Sequence, residues 1–150
     1  MMAVSCVANT FLLYSFTEKK LITPTELQRL LYICFKEYLL RYNEPLFPER
    51  FVPGTNGPEL LSITEAFQSD GNTREITRFI KNSTGGASII MQTSTAGVLV
   101  QAIWQHYKNH TEEWEKASRM NCAWAWAILN KRRFLEEEII CQEEGMAGLF

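Results

Sequence analysis

His106 and His110 are the two histidines of this chain, the only side chains whose ordinary pKa lies near neutrality. Their i, i+4 spacing puts both imidazoles on one face of a helix, which would supply two ligands of a zinc site. A zincin needs a glutamate directly after the first histidine, and this stretch reads His-Tyr-Lys-Asn-His. With no third ligand evident nearby, the pair reads as surface histidines near a helix end. The four cysteines, Cys6, Cys34, Cys122 and Cys141, are widely separated and form no C-x-x-C pair. They are expected to be reduced, mostly buried thiols of an intracellular chain. No G-x-S-x-G elbow, P-loop or G-x-G-x-x-G follows a predicted strand. The expectation is a non-enzyme with no catalytic residue, cofactor or metal.

What remains suits recognition. Lys131, Arg132 and Arg133 form a basic triplet that suits phosphates or an acidic partner, or equally a solvated face on which it pairs with Glu136, Glu137 and Glu138 at helical spacing. Trp124 and Trp126 stand about 200° apart around a helix axis, so one is expected in the core and the other either in a second packing layer or exposed as a binding anchor. The stretch Pro53-Gly-Thr-Asn-Gly-Pro58 spends two prolines and two glycines in six residues. There Gly57 is suited to a positive φ, and Pro58 to the start of the next helix.

These residues need a scaffold. In 150 residues, 46% are hydrophobic and 12% aromatic, enough for one core without disulfide or metal. Val4, Val7, Ala8, Phe11, Leu12 and Phe16 recur at steps of three and four, as on an amphipathic helix. Thr23, Pro24 and Glu26 spell an N-cap, a first-turn proline and a capping box. The helix they open is apolar on most sides, hence central, and should stop near Asn43 ahead of Pro45, Pro48 and Pro53. Leu46, Phe47, Phe51 and Val52 anchor the loop that follows. Further helices are expected from Pro58 through Phe67, from Thr73 with Ile76, Phe79 and Ile80, through Leu99, Ala102, Ile103 and Tyr107, and from Thr111 with Trp114 and Ala117. The glycine pair before Ile89, Ile90 and Met91 suggests one short β-hairpin near 86–93. The fold class is therefore mainly α, a compact single-domain bundle of about six to eight helices, with a domain over 1–143 and a short tail at 144–150.

A net charge of −2 and a pI near 5.7 give no global field that attracts nucleic acid or anionic lipid. No run approaches the roughly 18 apolar residues of a membrane span. A cytoplasmic protein that binds other proteins is expected, and self-association into a homodimer stays open.

The stretch from Leu21 to Phe67 resembles the hallmark of the Panacea domain family, which includes SocA-like and GepA-like phage-associated proteins and antitoxins. That family shows a Thr-initiated helix with a "KLQKLLY" core, a "PLF" step and a "GPV" turn. Here Leu27 to Tyr32 stand for the helix core, Pro45 to Phe47 for the step, and Gly57 with Pro58 for the turn. The resemblance extends over most of residues 4–141, through a closing Trp-containing pattern. This chain departs from it at Asn56, where an aromatic followed by a small or aromatic residue is usual, at Glu59 in place of valine, and in lacking the His and Pro before the C-terminal Trp.

The resemblance implies an antitoxin-like inhibitor, active in a bacterial host cell, that neutralises a toxin or a defence factor by direct binding. A phage-encoded anti-defence role, such as an anti-CRISPR type, is the first alternative, and a DNA-binding regulator the second. Thr55, Asn56, Gly57, Pro58 and Glu59, together with Trp126 and Arg132, are the residues expected to meet the partner.

Overall fold

The computed structural model describes residues 2–69, 73–108, 110, 122–143 and 145, with the side chain of Cys122 outside the description. Its elements run α1 (Val4–Thr17), α2 (Pro24–Tyr42), β1 (Val52–Gly54), β2 (Gly57–Glu59), α3 (Leu61–Ala66), α4 (Thr95–Tyr107), α5 (Cys122–Leu129) and α6 (Glu137–Ile140). The expected mainly α fold is thus observed, six helices and one two-stranded antiparallel sheet among the described residues. The helix expected from Thr111 lies outside the described residues, as does the expected tail apart from Gly145.

Helix α2 is the axis of the molecule and packs against α1, α3, α4 and β2. It starts as its sequence dictates: the Thr23 hydroxyl accepts from the Glu26 N–H, and the Glu26 carboxylate accepts from the Thr23 N–H. It ends at Asn43, in the left-handed region with φ of 54°. Twelve of its nineteen residues are buried, because it meets neighbours on nearly every side. Phe35 gathers Phe47 and Phe51 at centroid distances of 5.1 and 5.4 Å, so the proline-rich loop after α2 is held down by its aromatics.

Among the polar side chains that α2 buries, Gln28, Tyr32 and Lys36 stand four residues apart on one face, each 9% exposed or less. The Tyr32 hydroxyl donates to both oxygens of Glu143, at 2.9 and 2.8 Å. Glu143 Oε1 also accepts from the Ala123 N–H at the start of α5, at 3.1 Å. Burial pushes the Glu143 carboxyl above the ordinary carboxylate range, against the pull of Tyr32, Ala123 and Lys36. One carboxyl therefore ties the segment after α6 both to α2 and to α5.

Helix α1 buries Val7, Ala8, Phe11 and Leu12, and with them Asn9 and Thr10. Asn9 Nδ2 donates to the carbonyls of Ile80 (2.9 Å) and Ser88 (3.1 Å), and its Oδ1 accepts from the Ile80 N–H (2.8 Å). The Thr10 hydroxyl accepts from the Ile90 N–H at 2.9 Å. These bonds correct two expectations. Residues 86–93 hold no strand, and 73–80 no helix. The backbone groups of Ile80, Ser88 and Ile90 are met by these α1 side chains, and the Ile76 N–H by Ile22 O, in place of a ladder or helical turns.

Helices α1 and α5 end alike, each with a lysine in the left-handed region at C′: Lys19 (φ 55°) and Lys131 (φ 53°). Lys20 N–H reaches Ser15 O at 2.9 Å and Arg132 N–H reaches Ala127 O at 2.8 Å, the long bond of a Schellman motif. The stop after α5 takes the basic triplet out of any helix shared with Glu136–Glu138, so the expected helical-spacing pairs do not form. Glu136 lies 3.9 Å from Arg50 instead. Among the described residues no helix is long and apolar enough to cross a membrane.

Two outcomes follow. Lys19 is exposed, and an L-residue in that conformation costs about 1 kcal/mol, part of which the flexibility of glycine takes back. Lys19→Gly should raise Tm by about 1–2 °C in a thermal melt; a lower Tm would contradict the Schellman assignment. For Glu143 the folded pKa lies above the unfolded one near 4.5. Its contribution is therefore complete below the unfolded pKa and lost as pH rises through the raised value. Denaturation of wild type and Glu143→Gln over that window should show the wild type losing stability relative to the variant as pH rises. Parallel curves would exclude this linkage.

Candidate functional site

The hairpin is built by its own sequence and then fastened by two distant side chains. Val52 pairs with Glu59, Pro53 with Pro58 and Gly54 with Gly57. Neither proline can donate to a ladder, so this ribbon offers little to a further strand at those positions. Gly57 adopts φ of 126°, a conformation side-chain-bearing residues avoid. The close approach is at Gly54, where an added Cβ would lie 2.6 Å from Glu59 Oε2. Both glycines are therefore demanded by geometry, one by its φ and the other by space.

Gln28 grips the hairpin from α2. Its Nε2 donates to Leu60 O at 3.0 Å and to the Thr64 hydroxyl at 3.2 Å, while its Oε1 accepts from the Leu60 N–H at 2.9 Å. From the other side the Trp124 indole N–H donates to Gly54 O at 2.8 Å. The Thr64 hydroxyl donates to Glu59 Oε1, closing β2 onto the first turns of α3. Pro58 therefore sits inside β2 and does not open a helix; α3 begins at Leu61, with Leu60 as its extended N-cap.

Between the hairpin and the first turns of α2 lies a cavity of about 130 Å³, lined among others by Thr25, Arg29, Thr55, Asn56, Glu59 and Thr64. Gly57 and Pro58 are buried in its wall, Glu59 is half-buried, and Thr55 and Asn56 are exposed at its rim. The Arg29 Nε is buried and has no hydrogen-bond partner. Its charge is felt at the Tyr107 phenol, which burial and the Glu26 carboxylate together push far above its ordinary range.

The seven expected partner residues thus fall on two surfaces. Residues 55–59 form the hairpin tip and the cavity wall. Trp126 and Arg132 come together, with the guanidinium carbon 5.4 Å from the ring centroid. Trp124 faces the hairpin, so Trp126, about 200° further round α5, points elsewhere. Leu129, three residues on from Trp126 and so on the same side of α5, is 81% exposed. Gln28, Arg29, Thr64 and Trp124 are site residues that sequence reasoning missed. The one available signal was Gln28 and Arg29 as polar residues set between Leu27 and Leu30 in the apolar stretch of that helix.

The histidine rings lie 6.1 Å apart, and among the described residues no group of three or more His, Cys, Asp or Glu could hold a metal. Comparison with family models, curated proteins and solved structures finds no match to this chain.

Gln28→Leu removes the partners of two buried backbone groups at Leu60 and should cost about 3 kcal/mol in urea unfolding. A loss under about 1 kcal/mol would mean that the hairpin is held without Gln28.

Proposed function

We propose that this chain is an antitoxin-like, non-enzymatic inhibitor that captures a partner protein, a toxin or a bacterial defence factor, by direct binding. The observation that carries the proposal is the fastened hairpin. A turn exposing Thr55 and Asn56 is held on α2 by Gln28 and on α5 by Trp124. Little ordering entropy is left to lose when a partner docks on it. The resemblance of residues 21–67 to the Panacea domain supports the same reading. Its three motifs, the Leu27–Tyr32 core, the Pro45–Phe47 step and the Gly57-Pro58 turn, build this one assembly: helix, aromatic anchor and hairpin. Asn56 and Glu59, where this chain departs from the family pattern, sit at the rim and wall of the cavity. That placement suits residues that select the partner. Trp126, Arg132 and the exposed Leu129 supply a second contact surface of the aromatic, Arg and apolar kind that dominates interfaces.

Co-expression with the product of the adjacent gene tests the proposal. Growth should be rescued and the two proteins should copurify. Thr55→Arg combined with Asn56→Arg should keep the wild-type Tm, since both positions are exposed, and weaken capture by about 10-fold or more. Absence of both rescue and copurification would sink the antitoxin form. Rescue unaffected by the double variant would move the contact off the hairpin.

A further inference from the structure

We propose that residues 86–91 form an open backbone edge on which a second copy of this chain pairs antiparallel, giving a two-fold dimer centred on Ile89. Nothing in this pairing depends on the hairpin or on a captured partner.

The segment has the geometry of a strand with one side served. It runs without turn, bend or helix. Ser88 O accepts from Asn9 Nδ2 at 3.1 Å and the Ile90 N–H donates to the Thr10 hydroxyl at 2.9 Å, so both point at α1. In an extended chain the C=O of one residue and the N–H two residues on share an edge, and the backbone groups of the residues between point the other way. The side chains alternate to match: Ile90 is buried, while Ile89 and Met91 are 49% and 74% exposed. Among the described residues the N–H and C=O of Ala87 and Ile89 and the N–H of Met91 have no hydrogen-bond partner. Both ends are fixed, by the Asn82 N–H on Gly86 O at 2.7 Å and the Ser94 N–H on Met91 O at 3.1 Å. An edge already held in place loses little entropy on pairing.

What the edge lacks selects its occupant. Proteins guard open edges with charges or prolines. From Asn82 to Tyr107 there is no Asp, Glu, Lys, Arg or Pro, whereas β1 and β2 carry Pro53 and Pro58. A neutral edge gives a charged strand nothing to pair with and meets its own copy without like-charge repulsion. The pattern is also self-complementary. About a two-fold axis at Ile89, the two Ile89 residues exchange both backbone bonds, and Ala87 faces Met91, a small side chain against a long one. Met91 O already accepts from the Ser94 N–H and hydroxyl, so each flanking pair closes through the Met91 N–H to Ala87 O alone. Because the opposite edge is taken by α1, each copy has one edge to give and assembly stops at the dimer.

Sedimentation of the full chain between about 10 μM and 1 mM should show a reversible monomer–dimer equilibrium with a Kd of roughly 100 μM, the weak class that so small a contact supports. By NMR the Ile89 and Met91 amides should gain exchange protection as concentration rises and Ala87 should not, while Ile90, bonded to Thr10, stays protected throughout. Ile89→Lys sets two like charges against each other and should raise Kd about 10-fold or more, as should Ile89→Glu. Both variants should keep the wild-type Tm, since the position is exposed. Mixed together they should dimerise more tightly than either alone. A chain that stays monomeric, assembly beyond the dimer, a dimer with unaltered Ile89 and Met91 exchange, a dimer undiminished in Ile89→Lys, or a mixture no tighter than its components overturns the proposal. So does protection of these amides that arises only in complex with a different protein. Should either variant fail to fold, the wild-type exchange measurement decides alone.

Discussion

The structure depends on the polar stripe of α2. In a helix surrounded by protein an unanswered polar side chain is costly, since burying an unpaired hydrogen-bonding group costs more than the bond itself returns. Gln28, Tyr32 and Lys36 stand four residues apart, so they share one face and address successive layers of the molecule. Gln28 takes both backbone groups of Leu60 and thereby sets the hairpin and the start of α3. Tyr32 takes Glu143, which also receives the first turn of α5. Lys36 draws on the same carboxyl by charge. One face of one helix therefore fixes where the rest of the C-terminal half can lie.

Side chains acting in place of backbone partners recur through the fold. Asn9 and Thr10 do for 80–90 what Gln28 does for Leu60, and Asn82 Oδ1 accepts from Thr84 and Gly86 within its own turn. This lets long stretches without regular structure stay ordered, because their N–H and C=O groups are satisfied without a ladder. It also bears on recognition. A turn fixed from two sides presents its tip in one conformation, and contacts made by such a tip lose little to conformational entropy.

Much of the scaffold was legible because it is governed by neighbours in sequence. The Thr23–Glu26 capping box, the stop at Asn43, the α1 stripe and the aromatic anchors Phe47 and Phe51 all follow from local rules. The failures share a cause. Ile89 to Met91 and the segment after Thr73 have the composition of a strand and of a helix, but Ile90 bonds to Thr10, Ile80 to Asn9 and Ile76 to the Ile22 carbonyl, all more than fifty residues away. Pro58 has the look of a helix start, yet Gly57 with φ of 126° and the Trp124 bond to Gly54 O make that stretch a hairpin. For the candidate site, residues 55–59 were legible as a compact turn, while Gln28, Arg29, Thr64 and Trp124 were not.

By itself the sequence determined that the chain is mainly helical, that α2 is its centre, and that Gly57 sits at a turn. These depend on periodicity, capping and φ preference, which act over a few residues. Only the tertiary structure decided which tryptophan faces the hairpin, that a cavity opens beneath it, and that Arg29 Nε is buried without an acceptor. Hydrogen bonds over such separations depend on how whole helices pack, and nothing in the local order of residues encodes which donor will be left without an acceptor.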